Sequence, residues 1–140
     1  MMTRRRHRYQ RGPRTRRRLG PGAWRVRARV ERFGEPALLL LLREAPAHGY
    51  DLLDRLPELL PDERIDMGNL YRVLRSLEED GIVHSEWDAE APGPAKRTYE
   101  LTDDGRALLD AWAEALGGAA ETIDAFRARY EAEGGDHVPR

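Results

Sequence analysis

Arginine and tyrosine side chains collect on one face of a helix that the sequence predicts for residues 66–80. At 100° per residue, a set of leucines and a valine falls on the opposite face, where it would dock on a core. Guanidinium groups bind phosphates and pair with guanine edges, so the polar face suits a DNA groove. A solvated face is the alternative, because exposed arginine is common. The apolar residues are Leu70, Val73, Leu74 and Leu77, and the predicted DNA contacts are Gly68, Asn69, Tyr71, Arg72, Arg75 and Ser76.

The residues after this helix predict a β-hairpin. Asp66 is a candidate N-cap, and Gly81 can supply a left-handed stop. Residues 82–87 form a candidate strand, residues 88–95 form a loop rich in Pro and Gly, and residues 96–101 alternate as the returning strand. Lys96 and Arg97 stand at the return, where phosphates or a minor groove are the expected partners. A helix followed by such a hairpin indicates a winged helix-turn-helix.

An ordered set of motifs resembles the PadR family of bacterial transcriptional regulators. The motifs are HGYDLL, NLYRVLRSLEEDGIV, SEW, a Gly/Pro loop and KRTYELTDDGRALL, and the resemblance covers about residues 36–130. The linker at residues 57–65 departs from the pattern, because it carries two prolines and several acids. The resemblance implies a transcriptional regulator that binds double-stranded DNA. It also implies that a small aromatic or lipophilic effector, as many members sense, could bind near the dimer helices.

Two helices should precede the basic one. Glu35-Pro36 opens the first, which holds five consecutive leucines, is apolar nearly all round and should therefore be buried; it ends before Pro46. The second begins at His48-Gly49-Tyr50, turns Leu52, Leu53 and Leu56 inward, and stops at Pro57. His48 is a candidate DNA contact through a phosphate, although it could equally cap this helix or make no contact.

The last predicted helix starts at an N-cap, Thr102, and carries an apolar stripe spaced 3, 4, 3, 4, 3, 4. Such a stripe needs a covering helix, which a second copy would supply. Folding of the stripe onto its own domain is the alternative. Trp112 could wall an effector pocket or be an ordinary core residue of the dimer contact. The predicted dimer residues are Leu109, Trp112, Leu116, Ala119, Ile123, Phe126 and Tyr130.

Charge is distributed unevenly along a chain whose net charge is −1. Residues 1–34 hold 13 of the 24 basic residues and one of the 25 acidic residues, so the rest has 11 basic and 24 acidic residues. The segment 1–33 has too few apolar residues to fold alone and is predicted to be a disordered basic arm. The arm could follow phosphates or a minor groove, or it could be a passive extension.

Other function classes find little support in the sequence. The absence of cysteine excludes disulfides and thiolate metal sites, and His7, His48, His84 and His137 show no ligand spacing. We therefore expect no metal, no cofactor and no enzymatic activity. No apolar run reaches membrane-spanning length, and a cytoplasmic location is expected.

The sequence thus predicts a mainly α fold with a small β-hairpin wing and a long C-terminal dimerisation helix. The expected divisions are the arm (1–33), a winged helix-turn-helix domain (34–101), the dimerisation helix (102–133) and a tail (134–140). The expected function is that of a ligand-responsive homodimeric repressor with a specific DNA site. The alternative is a protein–protein interaction module that uses its Arg face on an acidic partner. RNA binding through the arm ranks third.

Overall fold

The computed structural model describes residues 16–27, 33–61, 64–88 and 96–134. Within them the chain is mainly helical with a small β-hairpin wing, which confirms the predicted fold class, and a second hairpin precedes the helices. The elements in chain order are β1 (Arg16–Gly20), β2 (Ala23–Val26), α1 (Gly34–Glu44), β3 (Ala47–His48), α2 (Gly49–Arg55), a 3-10 turn (Leu56–Glu58), α3 (Met67–Glu79), β4 (Val83–Asp88), β5 (Lys96–Leu101) and α4 (Asp103–Gly134).

Helix α1 lies at the centre of the core, between α2, α4 and β5. Its leucines are buried on several sides, as predicted for a helix that is apolar nearly all round. The helix ends at Glu44, immediately before Ala45 and Pro46. The core also takes residues from α2, the 3-10 turn, α3, β5, α4 and the residue before β4: Leu52, Leu56, Leu70, Leu74, Leu77, Ile82, Tyr99, Leu101, Leu108 and Trp112 are buried around it.

The wing hairpin, β4 and β5, belongs to a three-stranded antiparallel sheet in the order β3-β5-β4. Strands β4 and β5 pair in register from Val83↔Leu101 to Asp88↔Lys96, which confirms the predicted hairpin. Strand β3 was not predicted; it adds two residues, Ala47 and His48, to the other edge of β5. The wing is thereby tied to the start of α2.

The N-terminal hairpin β1–β2 corrects the prediction of a disordered arm. Residues 16–26 are ordered in two paired strands, while residues 1–15 and 28–32 lie outside the described residues. The hairpin does not fold around its own core; Trp24 and Val26 pack against the core of the domain instead. Trp24 Nε1 donates to the backbone oxygen of Asp104 at 3.2 Å, and Arg16 pairs with Glu35 at 2.9 Å. Tertiary partners therefore supply the stability that the local sequence lacks.

Helix α4 runs without a break from Asp103 to Gly134, through the glycine pair at 117 and 118. The predicted cap is confirmed: the backbone N–H of Gly105 donates to Thr102 Oγ1 at 3.0 Å. Gly105 must remain small, because a Cβ there would lie 2.2 Å from the backbone oxygen of Ile82. The first three turns of α4 belong to the core, whereas residues 120–133 are exposed.

Candidate nucleic-acid interface

Helix α3 starts on the predicted cap. Asp66 Oδ1 accepts a hydrogen bond from the backbone N–H of Asn69 at 2.8 Å, so the carboxylate is turned onto the helix amides, as expected. Asn69 Nδ2 lies 3.4 Å from Asp66 Oδ2. Because the acid satisfies the helix terminus, the outer face of the following turns is left to the polar side chains.

Helix α3 docks through a narrower apolar face than the sequence predicts. Leu70, Leu74 and Leu77 are at most 1% exposed, but Val73 is 39% exposed. The prediction was wrong for Val73 because the buried stripe centres on Leu70, Leu74 and Leu77, and Val73 lies about 60° beyond it. Of the opposite face, Gly68, Asn69, Tyr71, Arg72, Arg75 and Ser76 are all exposed, as predicted.

Tyr71 is held against the start of α2. A Cβ added at Gly49 would lie 2.9 Å from Tyr71 Oη and 3.1 Å from two ring carbons, so the two helices approach through the missing side chain of Gly49. Tyr71 keeps 38% of its surface exposed in this position. The GYD motif pointed to this glycine, but sequence reasoning did not assign it a role.

Arg72 and Arg75 project from α3 without acidic partners. Among the residues that the structure describes, neither guanidinium forms an ion pair. This contrasts with Arg16, Arg18 and Arg55, whose guanidinium groups pair with carboxylates. Two unneutralised guanidinium groups on an exposed helix form the basic centre of the candidate interface.

A polar chain of contacts connects the wing to α3. Arg97 Nη1 donates to Ser85 Oγ at 2.8 Å, and Ser85 Oγ donates to the carboxylate of Glu78, whose oxygens lie 3.0 and 2.9 Å away. The Arg97 guanidinium also stacks over the Trp87 ring, 4.4 Å from its centroid. Sequence reasoning proposed Arg97 as a phosphate ligand and missed Trp87, which is 58% exposed. Arg97 is thus fixed in place within the wing, while the Lys96 side chain lies outside the described residues.

Tyr99 lies where the wing meets α3. It is 5% exposed, and burial, with the nearby Tyr71 and Glu78, raises the pKa of its phenol. The neighbouring Arg97 and Arg75 oppose that rise in pKa. The phenol therefore stays neutral at ordinary pH and belongs to the base of the interface.

His48 is engaged with the wing instead of being free for DNA. Its Nε2 lies 3.2 Å from Asp88 Oδ2 and 3.3 Å from Thr98 Oγ1. Its backbone N–H donates to Asp51 Oδ2 at 3.4 Å, at the N-cap position of α2. A phosphate would have to displace these two partners to reach the ring, and the position of His48 at the N-cap fits the capping alternative. His48 joins α2 to the two wing strands.

The predicted dimer stripe on α4 divides into two parts. Leu109 is 6% and Trp112 is 0% exposed in the single chain, and Trp112 Nε1 donates to Glu35 Oε2 at 2.8 Å. Both residues therefore belong to their own domain, and assigning them to a dimer contact was wrong. Trp112 also has no free surface with which to wall an effector pocket.

The second part of the stripe is uncovered. Ile123, Phe126 and Tyr130 are 46%, 68% and 65% exposed, and the last two rings stack 6.4 Å apart. Ala119 and Leu116 are half-buried at the boundary between the two parts.

The described ranges contain neither a metal-ligand cluster nor a membrane-spanning helix. No group of three or more His, Cys, Asp or Glu side chains converges on a metal site there. None of the helices in those ranges combines the length and apolar character needed to cross a membrane.

A polar helix docked through leucines and followed by a two-stranded wing defines a winged helix-turn-helix protein. The family model described as the transcriptional regulator PadR-like family matches residues 38–111. The chain belongs to this family and is a transcriptional regulator.

Individual relatives agree with this family assignment. Over 90 residues the chain is 34% identical to the transcriptional regulator Rv3488 of Mycobacterium tuberculosis, a match that covers 59% of this chain and 71% of the relative. The crystal structure of a PadR-like transcription factor from Bacteroides fragilis is similar with a TM-score of 0.59 and 28% identity, over 67% of this chain and 89% of that one.

A third similar structure is that of Bacillus subtilis PadR in complex with operator DNA. Its TM-score is 0.52 and its identity is 28%, over 59% of this chain and 46% of that one. The present chain thus spans less than half of that protein.

Proposed function

We propose that this protein regulates transcription by binding a specific duplex DNA sequence, with α3 in the major groove and the wing over the flanking minor groove. The observation that carries the proposal is the pair Arg72 and Arg75, exposed and unneutralised on α3 opposite the leucines. Guanidinium groups at such positions pair with the N7 and O6 acceptors of guanine. The similarity to a PadR protein whose structure was solved in complex with operator DNA supports DNA as the partner.

The regulator acts as a homodimeric repressor in this proposal. Ile123, Phe126 and Tyr130 form an exposed apolar stripe, which a second copy of α4 would cover. A two-fold dimer would present two α3 helices to two half-sites about one helical turn apart. The DNA site should therefore be an inverted repeat.

A ligand response is the third part of the proposal. A small lipophilic molecule bound beside the N-cap of α3 would act on the start of the DNA-reading helix. An open cleft of about 420 Å³ lies there, and its lining combines apolar side chains with Arg64 and Asp66. Titration of aromatic and lipophilic compounds into the protein–DNA complex would test it, with release of DNA as the expected response.

Selection of bound duplexes from a random pool tests the central proposal. The expected result is one enriched inverted repeat. Arg72→Ala and Arg75→Ala should each weaken binding to that duplex by about 1–3 kcal/mol and relax the base preference at one position in each half-site. Arg127→Ala, which removes an exposed arginine from α4, is the control and should leave the preference unchanged.

Failure to enrich any sequence would reject the DNA-binding proposal. It would favour the alternative, in which the α3 arginines bind an acidic protein partner. Enrichment together with parental binding by both α3 variants would keep DNA as the partner but reject α3 as the reading face.

A further inference from the structure

The N-terminal hairpin divides its arginines between two faces. Arg16 and Arg18 point inward, over the ring of Trp24 at 5.7 and 4.3 Å from its centroid. They are neutralised there, Arg16 by Glu35 and Asp80 and Arg18 by Asp104. The strand register turns Arg17 and Arg25 to the other side, and Arg27 follows β2 with its side chain exposed.

Within the described residues the outward arginines form no ion pair, although Arg17 borders the same cleft as Glu79 and Asp80. Arg17 and Arg25 are direct cross-strand partners, and like charges facing each other raise the free energy of a sheet. In the described part of the chain, Arg17, Arg25 and Arg27 take part in no ion pair, and residues 16–27 contain no acid. A bound anion would offset the repulsion between the guanidinium groups of Arg17 and Arg25.

The hairpin is anchored beside the C-terminal end of α3 and the start of α4. Arg18 Nη2 donates to the backbone oxygen of Asp80 after α3, and the Gly22 N–H donates to Asp104 Oδ1 at the start of α4. Both anchors flank the base of the wing, where β4 begins. The wing loop follows Asp88, the last residue of this six-residue strand, which is about 20 Å long. The anchored part of the hairpin is therefore separated from the far end of β4 by about the length of that strand.

We propose that Arg17, Arg25 and Arg27 form a second surface for duplex DNA, which binds the phosphate backbone without reading sequence. Planar guanidinium groups bind phosphate oxygens through two parallel hydrogen bonds. Residues 1–15 add six arginines and no acid to the same segment. The surface precedes the residues 38–111 that the family model matches and does not depend on how α3 docks. It would let one protein hold two DNA segments at once.

The competing occupant is the acidic α4 of a second copy. A duplex is favoured because it presents one negative charge per about 1.7 Å of axis in a continuous array. The carboxylates of Glu131 and Glu133, by contrast, already lie 3.7 and 3.4 Å from Arg127 and Arg129 of their own helix.

Salt-dependent binding of a random-sequence duplex tests the surface. Arg17→Gln/Arg25→Gln should lower the slope of log affinity against log salt by about 1.8, since each phosphate that is no longer neutralised lowers it by about 0.9. Arg17→Lys/Arg25→Lys keeps both charges and should retain most of the slope. Arg127→Gln/Arg129→Gln removes the same charge from α4 and should leave the slope unchanged. The glutamine variant should unfold at the parental temperature or above it, because the repulsion between the facing positive charges of Arg17 and Arg25 is removed.

A capture experiment tests whether two segments are held. The parent protein, bound to an immobilised duplex enriched in the selection above, should capture a labelled random duplex, and Arg17→Gln/Arg25→Gln should not. An unchanged salt slope in the folded glutamine variant would overturn the proposal. So would sedimentation showing that this variant, unlike the α4 control, loses self-association without DNA. Arg72→Ala/Arg75→Ala separates the two proposals: it should abolish sequence preference but keep the share of the salt slope that the hairpin contributes.

Discussion

Arg97 Nη1 donates a hydrogen bond to Ser85 Oγ at 2.8 Å, across the two strands of the wing. Ser85 is 7% exposed, and its Oγ in turn donates a hydrogen bond to the Glu78 carboxylate of α3. Strands β4 and β5 and helix α3 therefore share one hydroxyl group. The orientation of the wing relative to α3 should depend on it.

Replacing Ser85 by alanine tests this dependence. The change leaves Arg97 and Glu78 without their common partner, and we expect a loss of about 1–3 kcal/mol in the free energy of unfolding. Binding to the selected duplex should weaken as well, because the wing loses its fixed angle to α3. Urea unfolding and duplex titration measure the two effects.

Thr122→Ala is the control for the loss of a hydroxyl group. Thr122 Oγ1 donates to the backbone oxygen of Gly118 on the exposed part of α4, so its removal should change neither quantity by more than about 0.5 kcal/mol. Parental stability and affinity in Ser85→Ala would show that the wing is held by its backbone pairing alone.

Gly49→Ala should displace Tyr71 with little change in stability. The new methyl group would lie 2.9 Å from Tyr71 Oη, and the phenol end of the ring can rotate away. Alanine is better than glycine in a helix by about 1 kcal/mol, which offsets the strain. Affinity for the selected duplex should fall several-fold, because the ring leaves the α3 face.

Gly34→Ala makes the same change at the first residue of another helix, α1, where a Cβ meets open space. It should raise stability and leave affinity unchanged. Equal affinities of the two alanine variants would mean that the position of Tyr71 does not matter for binding.

Local patterns predicted α3 and the wing because their signals lie within the elements themselves. The leucine spacing, the Asp66 cap and the left-handed Gly81, whose φ is 76°, set the bounds of α3 nearly as expected. Strand β3 was not predicted, because two residues are too few to show an alternating pattern and because its pairing partner Tyr99 is far away in the sequence. The contacts of His48 with Asp88 and Thr98 were missed for the same reason.

The spacing of apolar residues also failed to show which part of the molecule covers the apolar face of a helix. The stripe on α4 is regular, yet Trp112 is covered by its own domain whereas Phe126 is 68% exposed. The hairpin was hidden because its partners, Glu35, Asp80 and Asp104, come from three later parts of the sequence. The composition of residues 16–26 gives no sign of a stable hairpin. The two strands form because their side chains contact the rest of the domain.

Glu35 should support both the hairpin and the core. Its carboxylate accepts from Trp112 Nε1 at 2.8 Å and from Arg16 Nε at 2.9 Å. Glu35→Ala leaves a fully buried indole N–H without an acceptor, so we expect the free energy of unfolding to fall by about 1–3 kcal/mol.

Glu35→Gln separates the two contacts. The amide oxygen can still accept from Trp112, but the charge that faces Arg16 is removed. Core stability measured in urea should therefore be largely retained, while protease cleavage within residues 16–26 should become faster. Equal stability losses in both variants would show that the charge, and not the indole hydrogen bond, is the dominant contact.

The exposed half of α4 should hold the dimer together. Ile123 and Phe126 are 46% and 68% exposed in the single chain, and no core residue depends on them. Ile123→Asp/Phe126→Asp would bury two charges in a dimer contact, at a cost of several kcal/mol. Sedimentation should then show a folded monomer, because Trp112 and the first turns of α4 keep their own cover.

Ala125→Asp/Ala128→Asp adds the same charge to the opposite face of α4 and should leave the dimer intact. The monomeric variant should also bind the selected inverted repeat with lower apparent affinity, since its half-sites are no longer engaged together. A dimer that survives the first double substitution would reject this stripe as the contact. Monomer formation by both variants would instead implicate the charge of α4 in general.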